Sequence, residues 1–251
     1  IATDPQHGMD IDELNRALER WPIKACWLMT NQQNPVGFTL SKQKKQQLVA
    51  LLAEHNVALI EDDVYSELYF GGDKPLSAKA FDHRGNVLHC SSFSKNLVAG
   101  FRVGWVAAGK YAQRIQRLQL MSTLSTSAPM QLALANYLGT RSYDSHLRKL
   151  RQVLEQRKNL ARQSLKRHLP YGTRINDSHG GYFLWVELPK QVNATELYYR
   201  ALEHHISIAP GSMFSSGQQY ANYFRFNAAW AWDDAQEAAA AILGGLIAAM
   251  M

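Results

Sequence analysis

The sequence predicts an α/β protein: a mostly parallel sheet within residues 1–142, a long bridging helix over 143–169, and a smaller α+β domain over 170–251. Three observations carry this. Short apolar runs alternate with helix-patterned segments in the first half, the pattern of right-handed βαβ units. Polar residues cluster just after those runs, at Asn34, Asp62 and Ser92 to Lys95, where open parallel sheets gather ligands at the carboxyl ends of their strands. After Pro170 the texture changes to closely spaced short strands and two helices.

Taken in order, Ile1 to Met9 reads as a strand end passing into a loop. Asp10-Ile-Asp-Glu13 has the spacing of a capping box and predicts a helix to about Arg20, which Trp21-Pro22 ends. Ala25 to Thr30 is predicted as a buried strand, stopped by the polar turn Asn31-Gln-Gln-Asn34-Pro-Val-Gly37. Ser41 caps a basic helix whose apolar face includes Leu48, Leu51 and Leu52. Val57 to Ile60 is the next buried strand, leading into Glu61-Asp62-Asp63. A looped segment with Gly71-Gly72 follows, then the turn Asp82 to Gly85 and an apolar run from Asn86 to Cys90, with a second from Val103 to Ala108. Helices are predicted at Tyr111 to Met121, Met130 to Leu138 and Tyr143 to His168. The last carries a basic stripe, including Arg157, Lys158 and Arg162, which reads as a solvated face rather than a nucleic-acid surface. Strands at Gly180 to Glu187, Ile206 to Ala209 and Tyr223 to Phe226, and helices at Thr195 to His204 and Asp233 to Met250, complete the chain.

With 251 residues, 46% hydrophobic and 19% charged, the chain is long enough to bury a large core. No apolar run approaches a membrane span. Cys26 and Cys90 sit inside apolar runs, as reduced core thiols of a cytoplasmic protein would. A net charge of +6 is compatible with nucleic acid nearby without establishing it. The nine histidines lack metal-ligand spacing, so no metal is assigned.

The chemistry concentrates at Ser92-Phe-Ser94-Lys95, with Arg102 seven positions on. Serine hydroxyls and a guanidinium suit a phosphate, and a desolvated amine beside it can form a Schiff base with a carbonyl cofactor. Ser-x-Ser-Lys-x6-Arg resembles the cofactor-lysine segment of fold-type I pyridoxal-phosphate (PLP) aminotransferases of class I/II. Three further stretches resemble that family's motifs in the same order: Asn34-Pro-Val-Gly37, Asp62-Asp-Val-Tyr65, and Arg225 in Tyr-Phe-Arg-Phe-Asn. The resemblance implies a PLP-dependent transferase-like large domain, present in part, with a small C-terminal domain. It makes Lys95 the Schiff-base lysine and proton carrier, and Asp62 the partner of the pyridine nitrogen. Asp63 competes for that role, the spacing to Tyr65 favouring Asp62. Tyr65 and Asn34 would donate to the phenolate oxygen, Ser92, Ser94 and Arg102 would hold the phosphate, and Arg225, with Asn34, the substrate carboxylate.

Within that superfamily the chain looks most like the aminotransferase-like C-terminal region of MocR-type regulators of the GntR family, on Gln33-Asn34-Pro35, Ile60 to Tyr65 and Ser91 to Lys95. That implies a cytoplasmic homodimer sensing an amino acid or amine and reaching DNA only through an N-terminal winged helix outside these residues. A stand-alone aminotransferase of the kynurenine/α-aminoadipate type is the alternative, and a PLP lyase a third reading. The family's phosphate loop and ring-stacking aromatic have no counterpart here, so a piece of a longer polypeptide is expected, inactive alone and weaker for PLP than a whole domain.

Overall fold

In the computed structural model the chain divides into two units, residues 1–33 with 38–150, and residues 34–37 with 151–251. The structure describes residues 1–176, 178–217 and 219–251.

The first unit opens on a two-stranded antiparallel ribbon, β1 (Thr3–Asp4) and β2 (Gly8–Met9). Helix α1 (Ile11–Arg20) begins at Asp10, whose carboxylate accepts the N–H groups of Asp12 and Glu13. The predicted capping box is only half made. Ala2 supplies the carbonyl for the Asp10 N–H, and the Glu13 carboxylate takes the Ala2 N–H instead. The sheet is built from β3 (Ala25–Leu28), β4 (Ala58–Asp62), β5 (Val87–Ser92) and β6 (Gly104–Ala107), in that spatial order. The first three are parallel, and β6 runs antiparallel to β5. Strands β3 and β6 are edges of this sheet, which corrects the expectation that the run from Ala25 is buried: Trp27 is 74% exposed, and all of β6 faces out.

Helix α2 (Lys42–Glu54), capped by the Ser41 hydroxyl at the Lys44 N–H, joins β3 to β4 and buries Lys45, Leu48, Val49 and Leu52. Leu51, expected on that face, is only half-buried. Helices α3 (Ala112–Thr123) and α4 (Ala128–Leu138) follow β6, with Met121 and Leu132 exposed. Helix α5 (Ser142–His168) runs across the boundary of the units.

The second unit holds β7 (Arg174–Ile175), β8 (Phe183–Glu187), α6 (Ala194–Glu203), β9 (Ala209–Pro210), β10 (Tyr223–Asn227) and α7 (Asp234–Ala248). Its sheet is antiparallel in the order β7-β8-β10-β9. Leu184, Val186 and Phe224 alternate onto one face and pack with Leu165, Leu197, Leu243 and Ile247 in one fully buried cluster. Each such side chain contributes about 1.5–3 kcal/mol by leaving water. β7 has no counterpart in the sequence reading, because two residues carry no periodicity. Lys158 departs from the predicted solvated stripe. It is buried, and its ammonium donates to the carbonyls of Ser178 and Gly180 and the Ser178 hydroxyl at 2.6–2.8 Å.

Candidate functional site

In the first unit, β4 and β5 end side by side, with Asp62 paired in register with Cys90. Successive residues of an extended chain point to opposite faces, so Asp62 and Asp63 look in different directions. Asp63 is engaged: its two carboxylate oxygens meet Asn31 Nδ2 and His89 Nε2, each at 2.9 Å. Asp62 differs. Its Oδ1 is buried and has no hydrogen-bond partner, and the Val64 N–H donates to the carboxylate. Burial pushes its pKa above the usual carboxylate value; the Val64 N–H opposes this, the Asp63 charge adds to the rise, and the Lys95 ammonium pulls it back.

Lys95 lies on the turn after β5, exposed and close enough to act on Asp62 electrostatically. Ser92 is the last residue of β5, opposite Gly104. A Cβ on Gly104 would sit 2.9 Å from the Ser91 carbonyl oxygen, so only glycine lets the two strands close here. Ser94 accepts a hydrogen bond from Arg102 Nη1 at 3.3 Å. Arg102 caps a 3₁₀ turn in the left-handed region at φ 53°, a costly backbone for a non-glycine residue that turns the chain back into β6. The structure therefore brings Ser94 and Arg102 together and leaves Lys95 near enough for its charge to act on Asp62. Tyr65 is buried in the turn after Asp62. The Cys90 thiol is pushed up first by burial and then by the Asp62 and Glu61 charges, which keeps it protonated.

The second unit carries Asn34 and Arg225. Arg225 Nη1 donates to Asn34 Oδ1 at 2.7 Å, and Asn176 Nδ2 to the Val36 carbonyl at 2.6 Å, which ties the 34–37 turn into this unit. The guanidinium is stacked against two rings, 4.1 Å from the Phe183 centroid and 4.9 Å from that of Phe214. Strand β10 lies inside its sheet, so Arg225 is no edge residue.

Sequence reasoning missed Phe183 and Phe214, because nothing local announces which rings will meet an arginine 42 and 11 residues further on (225 − 183 and 225 − 214). It also missed Asn31, Lys45 and His89. Lys45 had a signal: it stands at i−3, i−4 and i−7 from Leu48, Val49 and Leu52, on the helix face that enters the core. Among the described residues no cluster of His, Cys, Asp or Glu could hold a metal ion, and no helix is long and apolar enough to cross a membrane.

An α/β unit with an acid at one strand end and a lysine in the turn after the neighbouring strand, and an antiparallel unit with a stacked arginine, define an aminotransferase-like protein. Residues 1–242 match the model of aminotransferase class I and II, and the chain belongs to that family, whose members bind PLP. Among its relatives, the uncharacterized HTH-type transcriptional regulator YdcR of Escherichia coli K12 is 63% identical over 98% of the chain and 53% of its own length. The HTH-type transcriptional regulator NorG of Staphylococcus aureus RF122 is 30% identical over 83% of the chain and 48% of its own length. Among solved structures, the multiple substrate aminotransferase of Thermococcus profundus superposes with a TM-score of 0.93 at 27% identity, over the whole chain and 64% of that protein. The chain spans about half the length of the curated relatives it matches.

Proposed function

We propose that these residues are the PLP-binding, aminotransferase-like part of a DNA-binding regulator of MocR/GntR type. The observation that carries the cofactor assignment is the buried, unpartnered Oδ1 of Asp62. A buried carboxylate oxygen in that state lacks a donor, and a protonated pyridine nitrogen supplies one together with a positive charge that favours the ionised form. The residue types carried by the chain's motifs fit the rest of the group. Lys95 supplies the amine for covalent attachment, Ser92, Ser94 and Arg102 the phosphate contacts, and Tyr65 and Asn34 hydrogen bonds to the ring oxygen. Arg225, oriented by Phe183 and Phe214, takes a ligand carboxylate together with Asn34.

When bound, PLP supplies an electron sink for the bonds at an amino acid's α-carbon. The chain's own part is to keep Asp62 ionised against the ring, to hold the carboxylate end at Arg225, and to move a proton through the Lys95 amine. The similarity to HTH-type regulators over about half their length supports a sensing role, with DNA reached through a winged-helix segment outside residues 1–251 and the protein acting as a cytoplasmic homodimer. The ligand is an amino acid or amine. The second reading, a stand-alone aminotransferase, draws on the superposition with the Thermococcus profundus enzyme and on the complete set Lys95, Asp62 and Arg225.

The test uses the full-length polypeptide. With PLP added it should develop a visible absorbance band, and borohydride reduction should fix one cofactor on Lys95 by peptide mass; Lys95→Ala should abolish both. Cofactor fixed elsewhere, or none, would overturn the assignment. Conversion of an added amino acid to its 2-oxo acid at catalytic rates would favour the enzyme reading over the sensor.

A further inference from the structure

Behind the Asp62 face lies a second set of charges that the cofactor roles leave unused. Lys45 is 2% exposed, and its Nζ donates to Asn31 Oδ1 at 2.6 Å and to the Leu76 carbonyl at 2.7 Å. Asn31 passes the contact on to Asp63, and Asp63 to His89, whose ring packs T-shaped with that of Trp105, centroids 5.1 Å apart. Glu61, also fully buried, takes the Thr30 hydroxyl at 2.5 Å and the N–H groups of Ala78 and Lys79. Four side chains, from α2, the β3–α2 loop, the end of β4 and the middle of β5, thus form one line, Lys45–Asn31–Asp63–His89, buried as far as Asp63 and part-buried at His89.

Two features tie this line to the site. The Asp63 main chain clamps the end of β5: its N–H donates to the Cys90 carbonyl at 2.8 Å, and its own carbonyl accepts the Ser91 and Ser66 hydroxyls at 3.2 and 3.0 Å. That places the strand leading to Lys95 against the residue after Asp62. The line also carries charge. The Asp63 carboxylate acts on Asp62, and Lys45 faces both Asp63 and Glu61. Burying such groups costs free energy that an apolar core of equal volume would not, so their value lies outside packing.

We propose that Asp63 and Lys45 are positioning residues for the cofactor ring, holding the strand end that presents Asp62 and setting the electrostatic potential at it. This rests on the assignment of PLP to Asp62 and Lys95. The two residues bear opposite charges, so their removal should act in opposite directions. A unit charge on the order of 10 Å away, in a medium between water and dry protein, moves a pKa by roughly half a unit to one.

The experiment loads full-length wild type, Asp63→Asn and Lys45→Met with PLP and follows the visible band against pH. The protonated form of the chromophore is the more positive one. Loss of the Asp63 charge should lower the midpoint, loss of the Lys45 charge should raise it, and Asp63→Glu should return it toward wild type. A purely structural role would weaken cofactor binding without opposite midpoint shifts. If Lys45→Met does not fold, Lys45→Gln, which retains a polar contact to Asn31, is read in its place. Unchanged midpoints in loaded variants, or shifts of the same sign, overturn this inference alone. A wild type that takes up no PLP overturns the cofactor assignment and this inference with it.

Discussion

The adjacent glycines of α7, Gly244 and Gly245, should respond in opposite ways to the same substitution. Alanine in a helix interior is worth about 1 kcal/mol over glycine through backbone entropy. At Gly245 nothing lies within 4 Å of the added Cβ, so Gly245→Ala should realise that gain. At Gly244 the Cβ would sit 2.2 Å from the carbonyl oxygen of His168 and 2.9 Å from its carbon, both backbone atoms at the end of α5. They cannot swing aside as a side chain would, so α7 must shift by roughly 1 Å against the packed cluster of Leu165, Leu243 and Ile247. Overpacking of that kind costs about 1–3 kcal/mol. After the propensity gain is subtracted, Gly244→Ala should be destabilising by about 1 kcal/mol and the two variants should differ by about 2 kcal/mol. Urea unfolding of the full-length protein, followed by the fluorescence of the second unit's tryptophans, reads the difference as a shift in midpoint. Equal shifts, or stabilisation by Gly244→Ala, would refute the close approach of the two helices.

Three further outcomes are expected. Burial lowers the Lys45 pKa to about 8 from 10.5, the Asp63 and Glu61 charges opposing. The folded state therefore gives up its proton before the unfolded state does, and this residue's contribution to stability rises with pH from about 8 to 10.5. The full change is about 3 kcal/mol; unfolding at pH 7 and 9.5 should show part of this rise in wild type, and Lys45→Met should flatten it. Arg225→Lys keeps the charge but loses the fork and the planar contacts with Phe183 and Phe214, so amino-acid affinity should fall about 10–100-fold with the cofactor spectrum intact; spectral titration checks it, and unchanged affinity would remove Arg225 from the ligand. Gly104→Ala should push β6 off β5 at the Ser91 carbonyl, costing about 1–3 kcal/mol and weakening PLP retention in dialysis.

What the sequence determined by itself is local. The strand-end positions of Asp62 and Lys95, the Ser41 cap and the helical period of α2 depend on a few neighbouring residues and on alternation or turn chemistry, so they can be read in one dimension. Four motifs in order then pointed to the aminotransferase fold. The spacing to Tyr65 favoured Asp62 and left Asp63 as a rival, because neighbouring carboxylates look alike until their partners are known. Tertiary structure separated them: Asp63 is taken by Asn31 and His89, from other parts of the chain, whereas one oxygen of Asp62 is left without a donor. Long-range pairing also made β3 and β6 edges, turned β6 antiparallel, diverted Glu13 to Ala2, and brought two rings to Arg225. Each of these depends on residues far apart in sequence, whose meeting is set by the packing of whole elements.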